Sequence, residues 1–524
     1  MGIRRIGGRA ALLAVGAGIS LGAAAGAAAE GSWEDWGEGS GQAPGVLRLS
    51  TLMPGADPAM RHTHAMVTTG QDNVPQIVFH ARSQDQFALS GIYAARWNGT
   101  SWEMADELNH RVLFADSMTA FSGRPALARR GETLFVAFAT APGSAVFTPM
   151  DAYAAFHEPV SGWTGRGGSL SEGGITSSEE IGDQVVEVAA TADSAGNAYL
   201  AYTRGESRQD TEQAIYLQRL TGSTWHGLNN SDTEPVTGHP IHHLFSHRHP
   251  ALGMSGGNPV LAWMDLQNVE ETIRVKRWSP GSQNWQGVGD AGLDGDGLGF
   301  GQRPQIANLP GRDSFFVAFE EKFGGTLHVY EWTGSSWQDR GDPLEPWGLE
   351  KMSALDDRQA GTDIPSVPSF SIALNSQGRP IIVFRAPSPE NENNHHLYAS
   401  YRNADGEWEA LGDPSVPGGI SQASYSPPSD ASKNLGHYNP YLYVGKDNRP
   451  VVAWTFAPTV TGASQVLVKR YDRSIGGGLP TVDLIASRLL GEIDGNPTLA
   501  DQLDFNANGI VDAADVRRLA RVSD

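Results

Sequence analysis

The feature that most constrains this chain is a repeat. From about residue 58 to 475 a unit of roughly 50 to 60 residues recurs, and a period of that length with several short strands per unit admits few architectures. Its middle is an apolar strand after a Pro-containing turn: Val74-Pro75-Gln76-Ile77-Val78-Phe79, Asn258-Pro259-Val260-Leu261-Ala262-Trp263, Arg379-Pro380-Ile381-Ile382-Val383-Phe384 and Arg449-Pro450-Val451-Val452-Ala453-Trp454. Looser copies centre on Val136, Leu200 and Val317. A polar loop follows, then a third strand such as Ile92–Trp97 or Leu327–Trp332. A tight turn then leads to a tryptophan: Trp97-Asn98-Gly99-Thr100-Ser101-Trp102 has the spacing of Trp332-Thr333-Gly334-Ser335-Ser336-Trp337. Small-residue turns between such strands are hairpin signals. Ahead of the middle strand lies a short strand, often with Pro near its start, as at Pro125, Pro250, Pro304 and Pro440.

Four short strands per repeat predict an all-β fold, a β-propeller of about seven four-stranded blades. The blades are expected to start near Arg61, Arg124, Gln184, Arg248, Arg303, Pro368 and Asn439. The last repeat has a third strand, Val466–Tyr471, with no tryptophan strand after it. Gly31-Ser32-Trp33-Glu34-Asp35-Trp36-Gly37 resembles the missing piece, so an N-terminal strand that completes the last blade would remove an exposed edge. The rival is a linker, since residues 39–44 have linker composition. Tryptophans at a fixed place in each repeat are read as packing between blades rather than as sugar platforms.

The chain divides into residues 1–29, an export signal; 30–57, an N-terminal segment; 58–475, the propeller; and 476–524, a separate small module. Arg4, Arg5 and Arg9 precede a small apolar run, and Ala27–Ala29 offer a cleavage site, so the mature protein is expected outside the cytoplasm or at the cell surface, with no membrane span. There is no cysteine, which excludes disulfides, thiolate metal sites and a Cys nucleophile. Asp and Glu total 59 against 38 Lys and Arg, and a net charge of -21 disfavours nucleic acid and favours cations as partners.

The tail carries a calcium pattern. Asp504, Asn506, Asn508, Asp512 and Asp515 occupy loop positions 1, 3, 5, 9 and 12, Gly509 stands where the loop turns sharply, and the Ile510 carbonyl falls at position 7. These are hard oxygen ligands at EF-hand spacing, so Ca2+ is the expected cofactor, with a helix from Ala513. Asp at position 12, followed directly by one helix, resembles a type I dockerin repeat. That resemblance covers about the last fifty residues and implies a cohesin-like or cell-surface protein partner. A preceding half beginning at Asp472 lacks ligating side chains at Gly476 and Pro480.

Propeller ligands usually meet the face where first strands begin and second strands end, a fold-level analogy. On it stand Arg124, Arg248 and Arg303, and at second-strand ends Arg82, Arg204, Asp265, Glu320, Glu321 and Arg385; His247, His249 and His437 lie nearby in sequence. Arg248-His249-Pro250 resembles the context of the first arginine in sialidases, which implies a carboxylate ligand. The turns before the tryptophans depart from the sialidase Asp-box, and the plain reading of these arginines is solvation or pairing with a neighbouring blade. His242-His243 and His395-His396 have metal-ligating chemistry but the position of exposed loops. No His-Glu-x-x-His or phosphate-binding Gly-Lys loop is present. Three readings follow: a propeller that binds extracellular glycan or protein; a glycan-processing enzyme, hydrolase or lyase; and a surface scaffold.

Overall fold

Each repeat folds into a four-stranded antiparallel sheet because its second strand is apolar throughout, and such a strand needs cover on both faces. The computed structural model describes residues 32–36, 46–47, 52, 61–69, 74–82, 91–104, 120–130, 133–141, 150–158, 162–171, 174–177, 185–205, 213–238, 245–267, 270–291, 297–321, 325–352, 369–389, 391–414, 419–421, 436–457 and 464–475. The export signal and the calcium module lie outside the described residues, as does His242-His243.

Blade 1 is Arg61–Thr69, Pro75–Arg82, Gly91–Trp97 and Trp102–Met104. Blade 2 is Ala120–Arg130, Thr133–Ala141, Asp151–Glu158 and Gly162–Thr164; blade 3 is Val185–Ala192, Ala198–Arg204, Ala214–Thr221 and Thr224–Gly227. Blade 4 is Phe245–Ser255, Asn258–Gln267, Glu270–Ser279 and Asn284–Gly287; blade 5 is Gln302–Asn308, Phe315–Glu320, Leu327–Trp332 and Trp337–Asp339. Blade 6 is Phe370–Leu374, Pro380–Ser388, Asn391–Arg402 and Trp408–Ala410. Blade 7 takes Gly436–Val444, Pro450–Ala457 and Gln465–Tyr471 from the end of the repeats and its outer strand, Trp33–Asp35, from the N-terminal segment. Val46–Leu47 continues that edge against Leu467 and Val466. The ring is therefore closed by Trp33–Asp35 from the N-terminal segment, the first described strand, as the leftover third strand predicts.

First strands of successive blades pack on one another around the axis, blade 7 on blade 1 included. Seven apolar clusters fill the structure, one at each junction between blades. Trp263 and Trp454, in second strands, are among the largest fully buried side chains.

The outer tryptophans add a directed link. Trp102 Nε1 donates to the Trp36 carbonyl at 3.3 Å, Trp225 to Arg166 at 3.0 Å, Trp337 to Val288 at 2.8 Å, Trp408 to Arg340 at 2.7 Å and Trp33 to Leu411 at 2.8 Å. In every case the acceptor lies three residues past the outer tryptophan of the preceding blade, and the residue after the acceptor is Gly. The indole crowds that glycine at two of the junctions. At Gly289 (φ 57°) an added Cβ would lie 3.0 Å from Trp332 Cζ3 and 3.2 Å from Trp337 Cδ1, and at Gly167 (φ 62°) 2.9 Å from Trp225 Cδ1. Blade 3 ends instead in Leu228-Asn229, and the Trp285 indole of blade 4, which would reach that carbonyl, has no hydrogen-bond partner. The tryptophans thus join blades, in agreement with the packing reading.

First strands begin up to four residues before the predicted starts at Arg124, Arg248 and Asn439, because the proline sits inside the strand at a bulge. Register jumps between Thr63 and Met66, Arg248 and Ala251, Gln302 and Gln305, and Tyr438 and Tyr441. Within these bulges His64, His249, Arg303 and Asn439 take left-handed φ of 54°, 53°, 54° and 53°. A bulge leaves a residue out of the ladder, where proline's missing N–H does no harm.

The indole lock is testable at its glycine. Gly311 has a comparable φ of 73° with open space around its Cβ position. G311A is expected to lose about 1 kcal/mol, the backbone cost alone. G289A is expected to lose about 3 kcal/mol through added overpacking against the two indoles. Urea unfolding of both variants measures the difference; equal losses would remove the lock.

Candidate functional site

The bulges turn particular side chains inward at one end of the ring, where first strands begin and second strands end. A cavity of about 180 Å³ there is lined mainly by first strands of several blades, with Glu187, His249, Arg303 and Gln305 as its polar groups and Met66, Leu127, Leu252 and Ile306 among its apolar ones.

Glu187 and His249 connect blades 3 and 4. His249 Nδ1 is 2.8 Å from Glu187 Oε1, and the His249 backbone N–H donates to Oε2 at 2.6 Å. Burial by itself would raise the Glu187 carboxyl, but the charge and hydrogen bonds of His249, with the charge of Arg248, outweigh it and hold the carboxyl below its ordinary value. Arg303 and Glu320 form the next buried pair, Nη1 to Oε1 at 2.8 Å, both side chains under 5% exposed. Ser369 of blade 6 donates to the other Glu320 oxygen.

Asp265 lies fully buried in blade 4. Arg274 Nε donates to its Oδ2 at 3.2 Å and Gln267 Nε2 at 2.8 Å, while His247 Nε2 stands 3.3 Å from Oδ1. Burial raises this carboxyl too, and the His247, Gln267 and Arg274 interactions reverse the shift to below the ordinary range. Glu321 is half-exposed, receives the Thr326 N–H at 3.3 Å and lies 3.1 Å from His328 Nε2.

At the junction of blades 6 and 7 the arrangement differs. The Arg385 side chain is buried, its guanidinium stacked 5.0 Å above the Tyr438 ring. Burial lowers its pKa to about 10, against the opposing effect of Tyr438. His396 and His437 stand beside it with ring centroids 5.9 Å apart. His437 Nδ1 accepts the Trp454 indole N–H at 2.8 Å, so this imidazole is neutral. Burial first, then the neighbouring His396, Arg385 and Lys469, push its pKa well down.

The remaining sequence candidates fall as follows. Arg204 is half-buried, 5.9 Å from the Tyr216 ring. Arg248 Nε donates to Ser246 Oγ at 3.0 Å, and the register puts His249 rather than Arg248 at the place matching Arg303. Arg124 lies in the bulge of blade 2 and Arg82 opposite Arg61, but their side chains lie outside the described residues. His396 is an interior partner of Arg385 rather than an exposed loop residue.

Sequence reading missed Glu187, Ser369, Arg274 and Tyr438. Glu187 carried a signal, a carboxylate inside the apolar run Val185-Val186-Glu187-Val188-Ala189-Ala190, which requires a partner. Ser369 and Tyr438 carried none.

No family model matches this chain, and no curated protein matches it. Among solved structures, a mutant Trypanosoma rangeli sialidase displaying trans-sialidase activity is 12% identical, with 78% of this chain and 54% of that one covered and a TM-score of 0.36. A Hadza microbial sialidase is 12% identical over 75% of this chain and 73% of its own, at 0.40. A Penicillium chrysogenum α-L-arabinanase complexed with arabinobiose is 13% identical over 66% and 92%, at 0.36. The chain spans about half the length of the Trypanosoma rangeli sialidases it matches.

The Glu187–His249 pair makes acid stability testable. A glutamate whose folded value lies below the unfolded 4.5 contributes stability that is fully present above 4.5 and lost as pH falls through the folded value. E187Q is expected to lose about 2 kcal/mol at pH 7 and to show a shallower decline below pH 4.5 in thermal melts. An unchanged acid limb would mean that Glu187 does not titrate in this way.

Proposed function

We propose that this is a secreted propeller that binds extracellular glycan or protein through the face where the first strands begin, and that its tail is a calcium-binding, dockerin-like module for attachment to a cohesin-like or cell-surface protein. The observation that carries the binding reading is the state of the buried carboxylates on that face. Glu187, Asp265 and Glu320 each contact a basic side chain, and the first two are held in the ionised form. Most glycoside hydrolases use a pair of carboxyl groups with one kept protonated as the acid, and those with a Tyr nucleophile are the exception. Carboxylates engaged in this way suit a rigid recognition surface better. Tail attachment is supported by the five oxygen side chains and the glycine of the loop at Asp504.

A glycan array probed with the mature protein in calcium, with product analysis of the same glycans, tests the first part. Binding without released or shortened sugars is expected, and turnover would transfer the site to a hydrolase or lyase. For the tail, D504A is expected to abolish calcium binding measured by calorimetry and to leave the melting temperature of the propeller unchanged. Unfolding of the whole chain in that variant would contradict a separate module.

A further inference from the structure

The junction of blades 6 and 7 is the one place among the described strands where two blades share a backbone bridge, His395 in the third strand of blade 6 pairing in parallel with Gly436 in the first strand of blade 7. The next residue on each strand is a histidine, and the rings of His396 and His437 stand with centroids 5.9 Å apart. Bases surround them. Arg385 comes from the second strand of blade 6 and Lys469 from the third strand of blade 7, and both are buried. Lys469 is met by Asp35 of the closing strand at 3.7 Å, whereas Arg385 is met by the Tyr438 ring. The other strands packed here, Phe370–Leu374 and Pro450–Ala457, bring no ionisable side chain. His395 points to the opposite side of its strand, and His62 of blade 1 is turned to the Ser464 carbonyl, 2.7 Å from its Nδ1. Blade 4 supplies an internal comparison: there His247 and His249 each face a carboxylate, Asp265 and Glu187.

The hydrogen bonds fix the charge state. An indole N–H only donates, so His437 Nδ1 accepts it from Trp454 at 2.8 Å only while that nitrogen carries no proton. His396 Nδ1 lies 3.2 Å from the Ser421 hydroxyl, which also receives the Leu397 N–H at 3.0 Å. We propose that His396 and His437 are an acid-sensitive latch between blades 6 and 7: neutral, they let the junction close; protonated, they set new charge beside Arg385 and open the shared bridge. Burial first, then the neighbouring cations, hold both imidazoles below the ordinary 6.5. An opened junction returns them to that value, so the latch contributes stability that is fully present above 6.5 and is lost as pH falls from there through the folded values. Two imidazoles change the equilibrium by up to about a hundredfold per pH unit. The window opens above that of Glu187, whose contribution is lost only below 4.5. The latch acts whichever ligand the face binds.

The experiment is urea unfolding of the full-length protein and of H396N/H437N across the range from pH 7 to pH 5. The asparagine amide oxygen can take the acceptor place of Nδ1 and does not titrate. The wild-type folding equilibrium is expected to weaken steadily below 6.5, and the double variant to weaken at least about tenfold less over the same range. Superimposable pH profiles would overturn the proposal. If the variant does not fold, hydrogen exchange of the wild-type protein decides, with rates corrected for the intrinsic effect of pH. Segments 391–402 and 436–444 are expected to lose at least about tenfold more protection between pH 7 and pH 5 than segment 258–267 of blade 4. Equal loss in all three would overturn the latch.

Discussion

An indole N–H that reaches the backbone carbonyl of the preceding blade is the contact on which the rest of this ring depends. Apolar burial presses the blades together but carries no direction, and packed sheets could slide along one another. A hydrogen bond with a fixed acceptor sets how far each blade is rotated and lowered against its neighbour. The described glycines after the acceptors, Gly167, Gly289, Gly341 and Gly412, all take positive φ, and at Gly167 and Gly289 the indole also crowds the space a Cβ would take. A net bond of this kind stabilises by only about 1 kcal/mol. Its larger effect is to repeat one geometry at five junctions, so that the angular errors of the blades do not accumulate before the ring closes.

The bulges in the first strands do the corresponding work at the axis. Strained left-handed residues are tolerated where the surroundings over-determine them. Here His249 and Arg303 are held by Glu187 and Glu320, so the strain and the ion pair support each other. The two acids do not occupy equivalent places: Glu187 is in a first strand and Glu320 at the end of a second strand. The blades share a backbone plan and differ in how each bulge is compensated, and the face is chemically uneven for that reason.

This division explains what the sequence disclosed. Blade number, the second strands, the tryptophan turns and the closing strand were legible because each rests on local periodicity or a repeated spacing. The glycine four residues past Trp285, Trp337 and Trp408 shows no partner in one dimension, because the indole that reaches the carbonyl before it comes from Trp337, Trp408 and Trp33 of the next blade, the last of these at the other end of the repeat region. The site was legible only by residue type. Arg303 and Glu320 could be nominated, yet nothing in one dimension reveals that they face each other while Arg385 faces Tyr438. Pairing across a junction is set by the register of two sheets, and a shift of one residue, as between Arg248 and His249, changes which side chain the bulge presents.

Register is also what the closing strand must obtain without help from a neighbouring loop. Ser32 and Asp472 meet across 440 residues of sequence, so blade 7 is complete only when the two ends of the repeat region come together. Three side-chain contacts choose the alignment. Trp33 Nε1 needs the Leu411 carbonyl at 2.8 Å, Asp35 the ammonium of Lys469 at 3.7 Å, and Trp36 the guanidinium of Arg470 at 4.3 Å. Burial lowers the Lys469 pKa and Asp35 opposes that shift. A strand displaced by one residue would leave the ammonium buried without its acid and turn Trp33 away from blade 6. An ion pair that adds little to stability can in this way exclude the wrong register, and the last blade, built from both ends of the repeat region, is where such exclusion matters most.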